Sequence, residues 1–96
     1  MSKIVIFDCR APWRAPCRKL TPALEQLAAD YADTLRKAGH EIVLEKVNVD
    51  EEPLPDIQHV PTVSITVDGQ LRTWIDHDVT PKKVRDALEV VIEETP

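Results

Sequence analysis

Ninety-six residues with 43% apolar and 30% charged side chains make one soluble globular domain, with no length for a second core. A net charge of −5, with lysines and arginines mixed among the acids, argues against a nucleic-acid-binding surface. The apolar run Ile4–Phe7 is too short for a signal peptide or membrane span, and two cysteines make no secreted disulfide framework, so a natural chain of this kind is expected in the cytoplasm, free of membrane.

The run Lys3-Ile4-Val5-Ile6-Phe7 is continuously apolar rather than alternating, which predicts a central strand of an α/β sheet covered on both faces. The stretch Asp8-Cys9-Arg10-Ala11-Pro12-Trp13-Arg14-Ala15-Pro16-Cys17 then leads from this strand into a helix. Leu20, Leu24, Leu27, Ala28, Tyr31 and Leu35 recur at helical spacing, so the helix is expected from about Pro16 to Ala38, with Gly39 as its left-handed stop and a bend at Pro22.

Glu41 to Val49 reads as a second strand, parallel to the first through a right-handed crossover, with Val43, Val47 and Val49 on one face and Ile42 and Leu44 on the other. Asn48, Asp50, Glu51, Glu52, Pro53 and Pro55 end it, leaving a turn or helical fragment as far as His59. Thr62 to Val67 alternates with Val63, Ile65 and Val67 inward. Asp68-Gly69 is a hairpin signal, and Gln70 to Ile75 is the return strand. Thr80-Pro81 starts the last helix, whose buried stripe is Val84, Ala87, Leu88, Val91 and Ile92. The elements run βαβ then ββα, and the expected architecture is a four-stranded mixed sheet flanked by helices, in the strand order second, first, third, fourth.

This order, with Pro-Cys opening a helix and a later Val-Pro-Thr, resembles the thioredoxin family in its minimal, glutaredoxin-sized form. Trp13-Arg14-Ala15-Pro16-Cys17 is similar to the family's Trp-Cys-Gly-Pro-Cys, and Pro22 to its helix-kinking proline. Val60-Pro61-Thr62 resembles the family's Ile-Pro-Thr, which implies a cis proline at Pro61 beside the active site. The resemblance also implies that Asp8 is a buried aspartate paired with Lys46, the partner that would handle the second cysteine's proton. The departures are equally specific. Arg14 stands where the attacking cysteine belongs, and His59 and His77, with Asp76 and Asp78 beside the latter, fall where glycines line the family's substrate groove next to Val60.

Dithiol exchange needs an exposed low-pKa thiolate to attack and a second thiol to resolve the mixed disulfide. Arginine cannot attack, so no residue is expected to be catalytic, and Trp13, Arg14, Pro16, Cys17, Asp8, Lys46 and Pro61 form a vestigial redox site. Cys9 follows Asp8 on a strand and points to the opposite face, which disfavours a Cys9–Cys17 disulfide and makes Cys9 a buried core thiol. Cys17 is expected to be a half-buried remnant. A one-cysteine peroxidase would want a hydroxyl at position 14, and a Cys-x5-Arg phosphate loop fails because Cys9 to Arg14 is one residue short. Arg10, Arg14 and Arg18 surround a helix N-terminus and suit an anion, but pairing of Arg14 with Asp76 or Asp78 is the preferred reading. His59, His77, Cys17 and the aspartates match no zinc spacing, so neither metal nor cofactor is implied.

Two readings of function result. In the first, the chain is a thioredoxin-fold scaffold, engineered or computationally designed, and lacks dithiol–disulfide oxidoreductase activity. Eight prolines against two glycines, with the nucleophile gone and the shape-giving residues kept, favour it. In the second, it is a natural degenerate member that binds a partner, an anion or a thiol, or uses Cys17 as a single reactive thiol. No partner is identifiable from the residues, and a monomer is expected.

Overall fold

In a computed structural model that describes all residues from 1 to 96 except Pro12 and Pro53, the apolar run at Ile4 lies inside a four-stranded sheet. Pro12 in the first loop, and Pro53 among the residues expected to end the second strand, thus lie outside the described residues. The elements are β1 (Lys3–Arg10), α1 (Ala15–Lys37), β2 (Glu41–Asn48), β3 (Thr62–Val67), β4 (Gln70–Ile75) and α2 (Pro81–Glu94). Their order in the sheet is β2-β1-β3-β4. β1 pairs parallel with β2, from Lys3 opposite Glu41 to Arg10 opposite Asn48, and antiparallel with β3. This is the expected mixed sheet. β1 runs three residues further than its apolar run because Asp8, Cys9 and Arg10 keep pairing with both neighbours or with β2.

Each end of the helices has a local cause. α1 begins where Arg14, in an extended conformation (φ −89°, ψ 124°), gives way to Ala15 and Pro16, whose ring presets a helical φ. Pro22 lies within α1 without ending it. At the far end Gly39 (φ +85°) and His40 close two hydrogen bonds back onto the helix: Gly39 N–H to the Arg36 carbonyl at 3.0 Å and His40 N–H to the Leu35 carbonyl at 2.8 Å. That pair of bonds is a Schellman stop. Thr80 caps α2 by accepting the Lys83 N–H at 3.2 Å. Asp68 (φ +52°) and Gly69 (φ +84°) form the two-residue turn between β3 and β4.

The stop at Gly39 is testable. A Cβ there would touch nothing within 4 Å, so Gly39→Ala introduces only backbone strain. The variant is expected to lose about 1–2 kcal/mol of unfolding free energy in urea titration. Gly39→Asn, which tolerates the left-handed region, should lose less.

The core forms on one face of the sheet only. Strand alternation sends Ile4 and Ile6 of β1 and Val63, Ile65 and Val67 of β3 toward Leu20, Leu24, Leu27 and Leu35 of α1 and Val84, Leu88 and Val91 of α2. α1 and α2 touch each other above this face. Each fully buried Leu or Ile contributes about 1.5–3 kcal/mol relative to exposure. The expectation that β1 is covered on both faces is therefore corrected. Among the described residues no helix lies over the second face, where Val5 and Phe7 of β1 and Val43 and Val47 of β2 remain partly exposed. Only the 49–61 segment crosses it, at the end near Cys9.

Candidate functional site: the strand–helix junction at Arg14 and Cys17

β1 delivers Asp8 to the helix-covered face, directly beneath the first turns of α1. Asp8 has no solvent exposure, and Cys17, in the first turn, has none either. The expectation of a half-buried Cys17 is corrected here: α1 packs its first turn onto β1, and the thiol is sealed in the core. Cys9, on the opposite side of β1, lines the other face, and both cysteines are free thiols. Burial pushes the Cys9 thiol upward, so it stays protonated at neutral pH.

Thr21 links Asp8 to Cys17. Its Oγ1 is 2.6 Å from Asp8 Oδ2 and 3.1 Å from the Cys17 carbonyl oxygen. A hydroxyl has one proton, and a backbone carbonyl can only accept. The Thr21 proton is either shared between Asp8 Oδ2 and the Cys17 carbonyl or, where Asp8 is the neutral acid and itself donates to Thr21, given wholly to Cys17. Burial raises the Asp8 pKa, while the Thr21 hydroxyl and the Arg10 and Lys46 charges oppose that rise without cancelling it. Asp8 Oδ1 is buried with no partner, which costs far more as a carboxylate oxygen than as the carbonyl of an acid.

Lys46 departs from its implied role. It sits opposite Asp8 in the β1–β2 register, yet its Nζ bonds Glu25 Oε2 of α1 at 3.3 Å, with the side chain 47% exposed. β2 is an edge strand, so the long side chain extends its ammonium into water rather than leaving it over Asp8. The expected Asp8–Lys46 pair is absent, and Lys46 acts on Asp8 only through space.

The expected Arg14–Asp76 or Arg14–Asp78 pair is also absent. Arg14 instead places its guanidinium carbon 5.1 Å from the centroid of the Trp13 ring. The planar cation stacks on its own neighbour because the loop presents that ring beside it, at no cost of reaching across the groove. Trp13 is held from the far side, its Nε1 donating to Asp50 Oδ2 at 2.8 Å. Among the described residues Arg10, Arg14 and Arg18 form no ion pair with a carboxylate.

The groove residues do gather. The Val60–Pro61 peptide is cis, and Val60 separates two shallow hollows. One, about 350 Å³, lies between Trp13, Arg14 and His59; the other, about 310 Å³, lies between Pro16, Pro61, Asp76 and Asp78. His77 lines neither. Its ring packs against His59 with centroids 5.3 Å apart, and its Nε2 lies 3.8 Å from Asp76 Oδ1. Asp78 adopts φ +47°. Among the described residues no cluster of three or more His, Cys, Asp or Glu side chains is placed to hold a metal ion.

Sequence reasoning missed Thr21 and Asp50. Thr21 was findable, since it stands one helical turn after Cys17 beside the apolar stripe. Asp50 was not, because its role depends on where the 49–61 segment meets the first loop.

Comparison with known proteins matches this geometry. A thioredoxin family model covers residues 1–94. The thioredoxin of Acidithiobacillus ferridurans is 38% identical over 74 residues, 73% of this chain and 62% of the relative. The thioredoxin AMT13 of Alternaria alternata is 33% identical over 89 residues, 88% of this chain and 68% of the relative. This chain thus spans about three fifths of the length of several thioredoxins that it matches. Among solved structures, Fasciola hepatica thioredoxin superposes with a TM-score of 0.75 at 25% identity, over 92% of this chain and 80% of that one. The germline-specific thioredoxin Deadhead of Drosophila melanogaster superposes at 0.76 and 19% identity, over 93% and 81%, a likeness of fold alone. No helix among the described residues is long and apolar enough to cross a membrane. A strand that buries an acid under a Pro-Cys helix start, a cis proline beside it and a family match along nearly the whole sequence together establish that this chain belongs to the thioredoxin family.

Proposed function

We propose that this chain is a thioredoxin-fold scaffold without dithiol–disulfide exchange. One observation carries the reading: Arg14 occupies the exposed position at the start of α1, while Cys17, the one thiol at the junction, is completely buried. An attacking sulfur must reach a partner's disulfide in line, and a sealed thiol cannot. Arg14 and Trp13 stacked across the entrance add a bulky cation where a substrate backbone would lie. The scarcity of glycine, the abundance of proline and the retained shape-giving residues support the further reading that the sequence was engineered for its fold.

Reduction of insulin by dithiothreitol, followed by turbidity, is the direct test. The chain is expected to leave the dithiothreitol background unchanged. A concentration-dependent acceleration would overturn the proposal. Labelling with a chromogenic disulfide reagent should find both thiols slow in the native state and ordinary in denaturant, whereas rapid native labelling of Cys17 would restore the single-thiol reading.

A further inference from the structure

With both helices on one face, the other face of the sheet is an apolar surface with no helix over it among the described residues. A groove of about 370 Å³ runs along it, floored by Phe7, Cys9 and Val47 and walled by Leu54, Ile57 and Trp74. Leu71 and Trp74 of β4, opposite Thr66 and Ser64 because the β3–β4 register shifts between Ile65 and Thr66, are 58% and 42% exposed, an unusual placement for large apolar side chains on one face. Parallel strand pairs such as β1–β2 are ordinarily covered on both sides, and here the cover is half missing.

We propose that this face docks an amphipathic α-helix of a partner protein, with an apolar stripe bounded by lysines and arginines. Charge selects the occupant. Alternation places Glu41 and Glu45 of β2 on this face, and Glu52 and Asp56 line the groove from the 49–61 segment. Lys3 at one corner is the cation that alternation adds, while Arg72 lines a different hollow with Val67 and Thr95 on the helix-covered side. A basic-flanked helix therefore meets complementary charge along its length.

The same rim disfavours a second copy of this chain. Stacked face to face about a two-fold axis, Glu41 and Glu45 would lie over β2 or β4 of the other copy, and neither strand offers a cation on this face. The dimensions suit a single helix. Four strands at about 4.8 Å spacing give a width of about 14 Å, and a helix with its side chains is about 10–12 Å across. This inference is independent of the redox reading and survives whether or not Cys17 exchanges disulfides.

The test uses the ¹⁵N-labelled chain and two synthetic 15-residue amphipathic peptides with identical leucine stripes, one flanked by lysine and arginine, the other by glutamate. The basic peptide is expected to bind saturably and to shift amide peaks of Val5, Phe7, Val43, Thr66, Leu71 and Trp74, with the acidic peptide at least about tenfold weaker. The exposed double variant Glu41→Lys/Glu45→Lys should reverse that preference, and Leu71→Lys/Trp74→Lys should abolish binding, each with an unchanged native spectrum. Equal binding of both peptides, shifts confined to the α1–α2 side, or no binding at millimolar peptide would overturn the proposal. So would a dimer in sedimentation that Leu71→Lys dissociates, since the face would then belong to a second copy.

Discussion

Arg14→Cys is expected to raise disulfide-reductase activity above that of the unsubstituted chain. The substitution puts a thiol at the exposed residue that precedes α1, one turn from Cys17, which lies beside Asp8 through Thr21. A thiolate there is favoured by the helix N-terminus, and Cys17 stands in place to resolve the mixed disulfide. Removal of arginine also unstacks the cation from Trp13 and opens the hollow toward His59. Insulin reduction should rise clearly above the dithiothreitol background, because an exposed thiolate at a helix N-terminus is a competent attacking group. The oxidised variant should show an intramolecular disulfide by mass. If the variant folds and the introduced thiol does not pair with Cys17, the junction has lost its redox geometry as well as its nucleophile.

The second large effect lies at Asp8. Burial raises its pKa in the folded chain above the ordinary carboxylate value, so the folded state holds the proton more tightly than the unfolded state does. The sign follows. Stability is full below the unfolded carboxylate pKa of about 4, and is lost progressively as the pH rises through the elevated folded value. Asp8→Leu removes both the titration and the unpartnered Oδ1. It should stabilise the chain at pH 7 by about 1–4 kcal/mol, the range for replacing buried ionisable groups by apolar ones. Urea titrations at pH 4 and pH 8 check this: the stability that Asp8→Leu adds to the unsubstituted chain should be larger at pH 8 than at pH 4, a difference from which the other titrating groups cancel. A loss of several kcal/mol in Asp8→Leu would show instead that the Thr21 linkage is required for the fold.

Lys46 tempers the Asp8 effect only through space, although sequence likeness paired it directly with Asp8. The two residues are register partners on one face, a nearness that the family likeness implied and no strand pattern did. Where a four-carbon side chain puts its charge is decided by the neighbouring edge and by Glu25 on α1, which no local pattern reports. Arg14 is similar: its guanidinium lies over the ring of its own neighbour, Trp13, and not beside the acids across the groove. Local punctuation was far more readable. Gly39, Asp68-Gly69 and Thr80-Pro81 each act through backbone geometry within a few residues, and each does so where the sequence places it. The topology followed from apolar runs and turn lengths. The single-sided core did not, because apolarity on both sides of β1 says that cover is wanted and cannot say whether a helix supplies it.

The position of β1 between β2 and β3 also has a consequence for how this domain folds. β1 is an inner strand, and its antiparallel partner begins only at Thr62. The βαβ half by itself carries a bare inner edge and half of a core, because Val63, Ile65, Val84 and Leu88 all lie outside it. Completing the core joins the two halves across contacts more than fifty residues apart in sequence, and such non-local pairing slows folding. Until β3 is in place, the β1 edge is open to pairing with other chains.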